Sequence, residues 1–456
     1  MDMLTHAEMK GWKMEEIDCF SKEEGNNFNI FKFILNLNFN IESMDINKYS
    51  LFVHEYTHYL QSICTVSGIS LLFKYFSFVK NIYANLNLKI CNNNEYDIGY
   101  LSSYIEQYND LMYLYNYNLD RENLGHRSDY FLLCEKIQHK IYKKEVTEYF
   151  IVIKEKQYHV SYKCLRETMA MMTFFIARNY KKEDALKYLQ TSNVLPVYKV
   201  LFLYFNKNFP YIDDLIRFTY FFTETALQSD YPGKILNLLF KSLKSCSKTS
   251  ILCTETFFQI FHRENPYVLS ALSSLIEKLK KDIQSLNSLG KNNEYFVFVK
   301  NYLQRCITGL NEYINKRTFF CYFQDINKLK LLANVILSPV IIQTFQGNTK
   351  VSTLDDQTNS YALALIFGVA VLLDAYIKQD FTPMNEKCIF IEKIPVCKFL
   401  QDGLADVKVC NRKPFNIKPF KTGNCIFYNA SLILGMLPDE EIIKYKDKNI
   451  SFIKTT

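Results

Sequence analysis

Residues 52–61 read Phe52-Val53-His54-Glu55-Tyr56-Thr57-His58-Tyr59-Leu60-Gln61. Apolar residues recur through and around this stretch at helical spacing, which predicts an amphipathic helix that begins after an N-cap at Asp45 or Asn47. We expect Gly68 to break or kink that helix before a second apolar stretch over residues 69–83. On such a helix His54 and His58 are four positions apart and therefore lie on the same face.

The two histidines and the glutamate between them form an H-E-x-x-H motif, which predicts a metal site. Two imidazoles on one face of a helix can bind one ion, and zinc prefers such nitrogen ligands. Glu55 follows the first histidine, so its carboxylate can accept a proton from a water molecule at the metal. We therefore expect His54 and His58 to be metal ligands and Glu55 to be the general base. Two alternatives remain: both histidines are ordinary partly buried residues, or the site binds metal without turnover.

A third protein ligand is expected at such a site and must come from elsewhere in the chain. Glu167 is the leading candidate, because it lies at the start of a predicted helix and the small Ala170, one turn on, allows that helix to approach the first one closely. Glu224 on a later predicted helix is the second candidate. The remaining candidates are His126, His139, His159 and His262.

The rest of the chain predicts a mostly helical protein with a small β-sheet. The segment Ile30–Ile41 alternates apolar and polar residues, as a half-buried strand does. Glu148–Ile153 and Tyr158–Tyr162 flank a polar tetrapeptide, which predicts a β-hairpin leading into a helix over Leu165–Ala177. Glycine and proline are scarce, at 13 and 10 of 456 residues, which favours long helices. Amphipathic helical segments are predicted at 195–207, 211–228, 234–246, 267–289 and 294–309. The expected fold class is therefore α+β, predominantly helical.

The stretch at 52–61, followed by Glu167-Thr168-Met169-Ala170, resembles zincin metallopeptidases of the gluzincin type. It is similar in particular to uncharacterised bacterial proteins with an H-E-x-x-H-x-L-Q helix and a downstream E-x-x-A helix. The resemblance implies a zincin-like catalytic core in which the two histidines and Glu167 bind zinc and Glu55 is the general base of peptide-bond hydrolysis. The gap of 109 positions between His58 and Glu167 departs from the thermolysin pattern, so the third ligand stays open.

Two further features of the site follow from this resemblance. A strand beside the active helix would pair with an extended substrate, a role that the Ile30–Ile41 segment could fill. An oxyanion-stabilising group would lie near the metal, and Arg166, His159 and the tyrosines are all available for it.

Three regions are expected along the chain: a zincin-like catalytic core over residues 20–230, a helical region over 231–380, and a cysteine-containing C-terminal segment over 381–456 packed on the core. The spacing of the four cysteines in the last segment lacks the paired C-x-x-C of zinc ribbons, which favours free thiols over a second metal site. Those cysteines are Cys388, Cys397, Cys410 and Cys425. Basic residues interleaved with Phe415 and Phe420 favour a solvated loop over a nucleic-acid site.

Charge and composition restrict the expected partners and location. The 54 basic and 47 acidic residues give a net charge of +7, which requires neither a nucleic-acid nor a membrane partner. Residues 1–20 lack the apolar core of a signal peptide, and the longest apolar run, Tyr361–Leu373, is too short to span a bilayer. The 13 cysteines are expected to be mostly reduced thiols. We therefore expect a cytoplasmic protein that acts on a protein or peptide.

A non-catalytic zincin-fold binding or regulatory module is the first alternative, and a nucleic-acid-binding protein with a structural metal is the less favoured one.

Overall fold

The computed structural model describes residues 26–30, 34–39, 44–91, 99–122, 130–248, 251, 253–289, 294–336, 341–344, 349–351, 442–446 and 449–453. Most of these residues are helical, and the strands form two four-stranded sheets and one two-stranded ribbon. The expected α+β class with a predominance of helix is therefore confirmed. Tyr361–Leu373 and the four C-terminal cysteines lie outside the described residues.

The helices are α1 (Ile46–Cys64), α2 (Val66–Cys91), α3 (Gly99–Asn116), α4 (Tyr162–Ala177), α5 (Lys182–Thr191), α6 (Pro196–Asn208), α7 (Leu215–Ala226), α8 (Pro232–Ser245), α9 (Thr254–Glu264), α10 (Tyr267–Leu289), α11 (Glu294–Lys316) and α12 (Ile326–Ile336). The strands are β1 (Asn27–Asn29), β2 (Ile34–Leu37), β3 (Arg121–Glu122), β4 (Phe131–His139), β5 (Lys144–Ile153), β6 (Lys156–His159), β7 (Ile341–Thr344), β8 (Thr349–Val351), β9 (Ile442–Lys446) and β10 (Asn449–Ile453).

Helix α1, which carries the H-E-x-x-H motif, begins and ends as its sequence predicts. Asp45 is the N-cap, and its side chain accepts a hydrogen bond from the backbone N–H of Lys48 at 2.8 Å. The chain breaks at Thr65, and α2 leaves at an angle of 74° to α1. Gly68 is required at this corner, because a Cβ there would lie 2.1 Å from the backbone oxygen of Gln61. In the part of the chain that the structure describes, no single helix is both long enough and apolar enough to cross a membrane. Helices α1 and α2 have the required length and apolar composition only when they are taken together, as a bent pair.

Helix α1 is enclosed by later parts of the chain. On one side Thr57 and Thr173 of α4 bring their hydroxyl oxygens to 2.8 Å. On another side α11 approaches so closely that a Cβ on Gly309 would lie 2.5 Å from the Sγ of Cys64. The guanidinium of Arg305 on α11 also donates a hydrogen bond to the hydroxyl of Tyr59 at 3.4 Å. From Val53 to Cys64 the polar residues of α1 are therefore buried together with the apolar ones, and they need partners inside the protein.

The first sheet has the strand order β1-β2-β7-β8 and lies beside α1. The β1–β2 and β7–β8 pairs are antiparallel, whereas β2 and β7 are parallel, with Ile34 opposite Ile341. The ring of Phe28 on β1 meets that of Tyr59 edge-on, with centroids 5.9 Å apart. Because Tyr59 follows His58 directly, this contact places the β1 end of the sheet next to the motif.

The prediction of one continuous strand over Ile30–Ile41 is wrong. The chain turns at Ile30, and β1 and β2 form a short hairpin in which Phe28 lies opposite Leu35. Within β2 and just beyond it the predicted alternation holds, since Leu35 and Leu37 are buried while Asn38 is exposed. Alternation identifies which side chains are buried, but it does not show where a turn interrupts the strand.

The second sheet is antiparallel throughout, in the order β3-β6-β5-β4. The predicted hairpin is confirmed as β5 and β6, joined by a tight turn in which Lys154 has a left-handed φ of 52°. Strand β6 leads to Ser161, the N-cap of α4, whose hydroxyl accepts from the backbone N–H of Cys164 at 3.1 Å. The hairpin thus fixes where α4 starts, and with it the position of Glu167.

One hydrophobic core continues across residue 230. Helix α8 packs on β5 through Tyr149 and Phe240, whose ring centroids are 5.1 Å apart. Helix α11 packs on α1, as described above. The predicted division of the chain into 20–230, 231–380 and 381–456 stays a prediction. The cysteines whose side chains the structure describes are free thiols; they are Cys64, Cys134, Cys164, Cys246, Cys253, Cys306 and Cys321.

Candidate metal centre

Three side chains meet between α1 and α4. His54 and His58 come from one face of α1, and Glu167 comes from the second turn of α4. One ligand atom from each residue lies within 4.8 Å of the other two, and all three residues are buried. The structure therefore brings together the three residues that the sequence predicts as metal ligands, although two of them are distant from the third along the chain.

The closest pair in this cluster is His58 and Glu167, with Nε2 and Oε2 3.1 Å apart. The other ring nitrogen, Nδ1, lies 2.9 Å from Oε1 of Gln61, whose amide nitrogen in turn donates to the backbone oxygen of Arg166 at 2.9 Å. Because Oε1 of Gln61 can only accept, Nδ1 of His58 carries a proton. The lone pair of Nε2 then faces a carboxylate oxygen, a repulsive contact unless a proton or a metal ion lies between them.

The pKa shifts of His54 and Glu167 favour metal binding, whereas a metal ion has to displace a proton from His58. Burial, together with the nearby His58, lowers the pKa of His54 to about 3, so this imidazole is neutral, as a metal ligand must be. Burial alone would lower the pKa of His58, but the carboxylate of Glu167 outweighs it and raises that pKa. Burial alone would raise the pKa of Glu167, but His58 and Arg166 hold it well below its usual range. The cluster therefore presents two imidazoles and an ionised carboxylate.

This donor set suits zinc. Zinc binds imidazole nitrogen and carboxylate oxygen at about 2.0–2.2 Å, so tetrahedral ligand atoms lie about 3.3 Å apart. The distance between His58 and Glu167 is already in this range, and a ligand atom of His54 lies within 4.8 Å of both. Gln61 holds the ring of His58, and the backbone carbonyl of Ala170 lies close enough to the ring of His54 to influence its pKa. Ala170 is buried, and the predicted role of its small side chain in bringing α4 close to α1 stays a prediction.

Glu55 and Arg166 complete the surroundings of the cluster. Glu55 is buried and lies close enough to act electrostatically on His58 and on Tyr115. Arg166 donates from Nη2 to Oε1 of Glu167 at 2.9 Å, and its guanidinium lies 3.9 Å from the centroid of the Tyr115 ring. Its Nε and Nη1 atoms are buried and form no hydrogen bond of standard geometry with the described residues. The centre therefore contains a carboxylate that can move a proton and a cation with unused donors.

The other predicted ligands lie away from the cluster. His139 packs among tyrosine rings, and His159 pairs through Nε2 with Glu148 at 2.9 Å. His262 lies on α9, and His126 lies outside the described residues. Of the groups considered for oxyanion stabilisation, Arg166 is at the centre and His159 is not, while two tyrosines, Tyr115 and Tyr198, lie beside Arg166 and His54 respectively.

Glu224 also lies apart from the histidines, in a buried site of its own. Its Oε1 accepts hydrogen bonds from the hydroxyl of Tyr220 at 2.8 Å and from the backbone N–H of Phe319 at 3.1 Å. Burial raises its pKa to about 7. Glu224 is therefore an internal hydrogen-bonding residue of the fold, and the structure brings Glu167 rather than Glu224 to the two histidines.

The buried carboxyl of Glu224 predicts a pH-dependent stability. Its pKa is about 7 in the folded chain and 4.5 as the ordinary value, so between these pH values the folded chain keeps a proton that the unfolded chain releases. Stability therefore falls as pH rises through this window, by about 3 kcal/mol for this group. We expect Glu224→Gln, whose amide oxygen can still accept both hydrogen bonds, to remove this contribution.

Urea unfolding followed by circular dichroism at pH 5 and pH 8 measures the effect. The wild type should lose more unfolding free energy than Glu224→Gln between the two values, and the variant should be the more stable protein at pH 8. Glu145→Gln, an exposed substitution on β5, is the matched control. Equal pH dependence in wild type and Glu224→Gln would contradict the assignment.

Two contributors to the centre have no distinctive sequence signal. Gln61 is visible as part of the motif stretch, but its bridge from His58 to the backbone of Arg166 depends on α4. Tyr115, which stacks on Arg166, lies on α3 among many tyrosines.

Comparison of the chain with protein-family models, with curated proteins and with solved structures finds no match. The case for a metal at this cluster therefore depends on its residues and their geometry.

Proposed function

We propose that the chain is a zinc-dependent metallopeptidase that hydrolyses peptide bonds of a protein or peptide substrate. The observation that carries the proposal is the meeting of His54, His58 and Glu167 in one buried cluster with Glu55 beside them. Two histidines from an H-E-x-x-H helix and a glutamate from a second helix form the donor set of gluzincin-type peptidases, which the sequence resembles.

Each residue of the centre has a role in this reaction. His54, His58 and Glu167 would hold zinc, which when bound polarises the scissile carbonyl and lowers the pKa of a water molecule toward about 7. Glu55 accepts a proton from the attacking water and delivers it to the leaving amine. Arg166 places buried positive charge next to Glu167, where its unused donors can stabilise negative charge that develops on the substrate.

The first sheet offers a surface for the substrate backbone. In the described part of this sheet, β1 is an outer strand, and its Phe28 contacts Tyr59, the residue after His58. An extended peptide that pairs with the outer edge of β1 would run beside the metal centre. In this proposal the strand that pairs with the substrate is β1, and not the Ile30–Ile41 segment, for which the sequence resemblance implies that role. Strand β2, which lies within that segment, is an inner strand between β1 and β7.

A non-catalytic module that uses the same fold to bind a peptide is the alternative. The burial of Glu55 beside the cluster favours catalysis, because an ionisable group is costly to bury and a binding site does not need one there. The nucleic-acid alternative depends on basic residues after position 400, which lie outside the described residues.

Metal analysis combined with a peptide library tests the proposed function. Purified protein should contain about one zinc per chain by mass spectrometry, and it should cleave members of a mixed peptide library. Removal of zinc with a chelator should abolish cleavage, and restoring zinc should recover it. Absence of zinc after reconstitution would overturn the proposal, whereas zinc binding with no cleavage of any peptide would favour the binding module.

A further inference from the structure

A second polar site lies next to the metal centre. It is a pocket, open to solvent, between α2, the end of α3, the second sheet, the start of α4 and the turn that precedes α8. Its lining includes one buried carboxylate, Glu148, and a set of aromatic rings. None of these residues takes part in the proposed hydrolysis.

Glu148 is the buried carboxylate of this pocket. It is 4% exposed, and its Oε2 lies 2.9 Å from Nε2 of His159. Nδ1 of His159 accepts a hydrogen bond from the backbone N–H of Leu119 at 3.2 Å, which leaves Nε2 as the nitrogen that donates to Glu148. The hydroxyls of Tyr117 and Tyr231 also lie close enough to Glu148 to help hold its pKa below the usual value. Its Oε1 is buried and forms no hydrogen bond of standard geometry with the described residues.

The aromatic side chains around Glu148 form a surface that attracts cations. Tyr117, Tyr142 and Tyr231 surround the ring of His139, with centroid distances of 4.7, 4.5 and 6.2 Å. The faces of such rings are electronegative and bind ammonium and guanidinium groups. The protein itself provides an example, because Nζ of Lys74 lies 4.8 Å from the centroid of Tyr142.

The lining of the pocket carries two acidic residues, Glu148 and Asp230, and one lysine, Lys74. Asp230 pairs with Lys234 at 2.8 Å, at an exposed position. Lys74 lies against the ring of Tyr142. Glu148 is the buried acidic residue of the lining, so its charge is poorly screened by solvent and acts most strongly on a cation in the pocket.

The pocket is within reach of a substrate at the metal centre. Tyr162 lines the pocket, and its ring centroid lies 5.5 Å from the guanidinium of Arg166, which binds Glu167. Tyr162 and Glu167 are five residues apart on α4, which corresponds to about 7.5 Å along the helix axis. An extended peptide advances about 3.3 Å per residue, so this separation equals about two residues of substrate.

We propose that this pocket binds the basic side chain of a peptide substrate, the guanidinium or ammonium of an arginine or lysine close to the scissile bond. The charged group would pair with Oε1 of Glu148 and lie against the rings of Tyr117, Tyr142 and Tyr231. This inference rests on the proposed peptidase function for its biological meaning, but the binding of a cation to the pocket can be measured without turnover.

Binding of a substrate fragment to the full chain tests the proposal. The probe is Nα-acetyl-arginine amide, and the comparison is Nα-acetyl-citrulline amide, which has the same shape without the charge. We expect the arginine probe to bind at least about tenfold more tightly than the citrulline probe in isothermal titration or ligand-observed NMR. Glu148→Gln, which can keep the hydrogen bond from His159, should weaken the arginine probe by about 10–100-fold.

Three further variants separate the pocket from general effects. Glu145→Gln removes a charge from an exposed position of the same strand and should leave the affinity unchanged. Lys74→Met removes the like charge beside Tyr142 and should strengthen binding. Tyr142→Leu should weaken binding by about 2–5-fold, and these last two variants keep the proposal testable if Glu148→Gln does not fold.

The outcomes distinguish this inference from the proposed function. Equal binding of the two probes, or no binding of the arginine probe to the wild type, would overturn the pocket even if the protein cleaves peptides. Selective binding of the arginine probe without peptide cleavage would support the pocket and contradict the peptidase. If the chain is a peptidase and the pocket binds a basic side chain, the preferred library peptides should carry arginine or lysine near the cleaved bond. The Glu148→Gln variant should then lose that preference.

Discussion

Glu55→Gln is expected to lower the kcat of peptide cleavage by about 10²–10⁴-fold while zinc content and fold stay as in the wild type. An amide of the same size cannot accept the proton of the attacking water, so the water is no longer activated. Glu55 is not among the three residues whose ligand atoms converge, and its loss therefore leaves the metal ligands in place. The measurement is kcat on a peptide selected from the library, together with zinc per chain and thermal unfolding of both proteins.

A matched control for this variant is Glu155→Gln, in the exposed turn between β5 and β6. It makes the same chemical change away from the centre and should have wild-type kcat. Full activity of Glu55→Gln would exclude this residue as the general base. Loss of zinc in Glu55→Gln would instead indicate that Glu55 supports the metal site rather than the proton transfer.

Replacement of Glu167 is expected to have the second large effect, a loss of zinc affinity of at least about 100-fold. Changes in the outer shell of a metal site already cost about 10–100-fold, and a ligand itself contributes more. Glu167→Ala also leaves Arg166 buried without its carboxylate, which destabilises the fold by about 3–5 kcal/mol. Glu167→Gln is therefore the more informative change, because its amide oxygen can still accept from Arg166 while the charge at the metal is lost.

Competition between the protein and a chromophoric chelator measures this affinity. Glu224→Gln is the control, since Glu224 is an equally buried glutamate on a neighbouring helix and was the alternative ligand in the sequence. It should bind zinc as the wild type does. Wild-type zinc affinity in Glu167→Gln, with loss in Glu224→Gln, would reverse the assignment of the third ligand.

Local sequence signals account for the helices of the centre. The motif, the N-cap at Asp45 and the break near Gly68 define α1 within a few residues. The prediction of Glu167 as a neighbour of the histidines also depends on local features, a hairpin followed by a helix start and a small residue at Ala170. In each case a capping or packing requirement restricts a few adjacent residues, so the sequence shows it directly.

Long-range features of the site have no such local signal. Strand β4 is largely exposed or half-buried along its length, so it lacks the clean alternation of a strand with one buried face. The pairing of β2 with β7 joins residues about 300 positions apart, and no property of either segment identifies the other. Glu148 is a buried charge, whereas a glutamate in a sequence is expected to be solvated. These features depend on partners that only the folded chain brings together.

The packing of α11 on α1 and the pairing of β7 with β2 have a consequence for synthesis of the protein. The H-E-x-x-H helix is made early, but Gly309 on α11 and the strand that pairs with β2 follow much later in the chain. At about 5–20 residues per second, the roughly 290 residues between His58 and the end of β7 take about 15–60 s to translate. During that interval the helix with the two histidines lacks neighbours that enclose it in the finished protein. The nascent chain on the ribosome therefore holds the three candidate ligands well before all the elements that pack around α1 and β2 have been made.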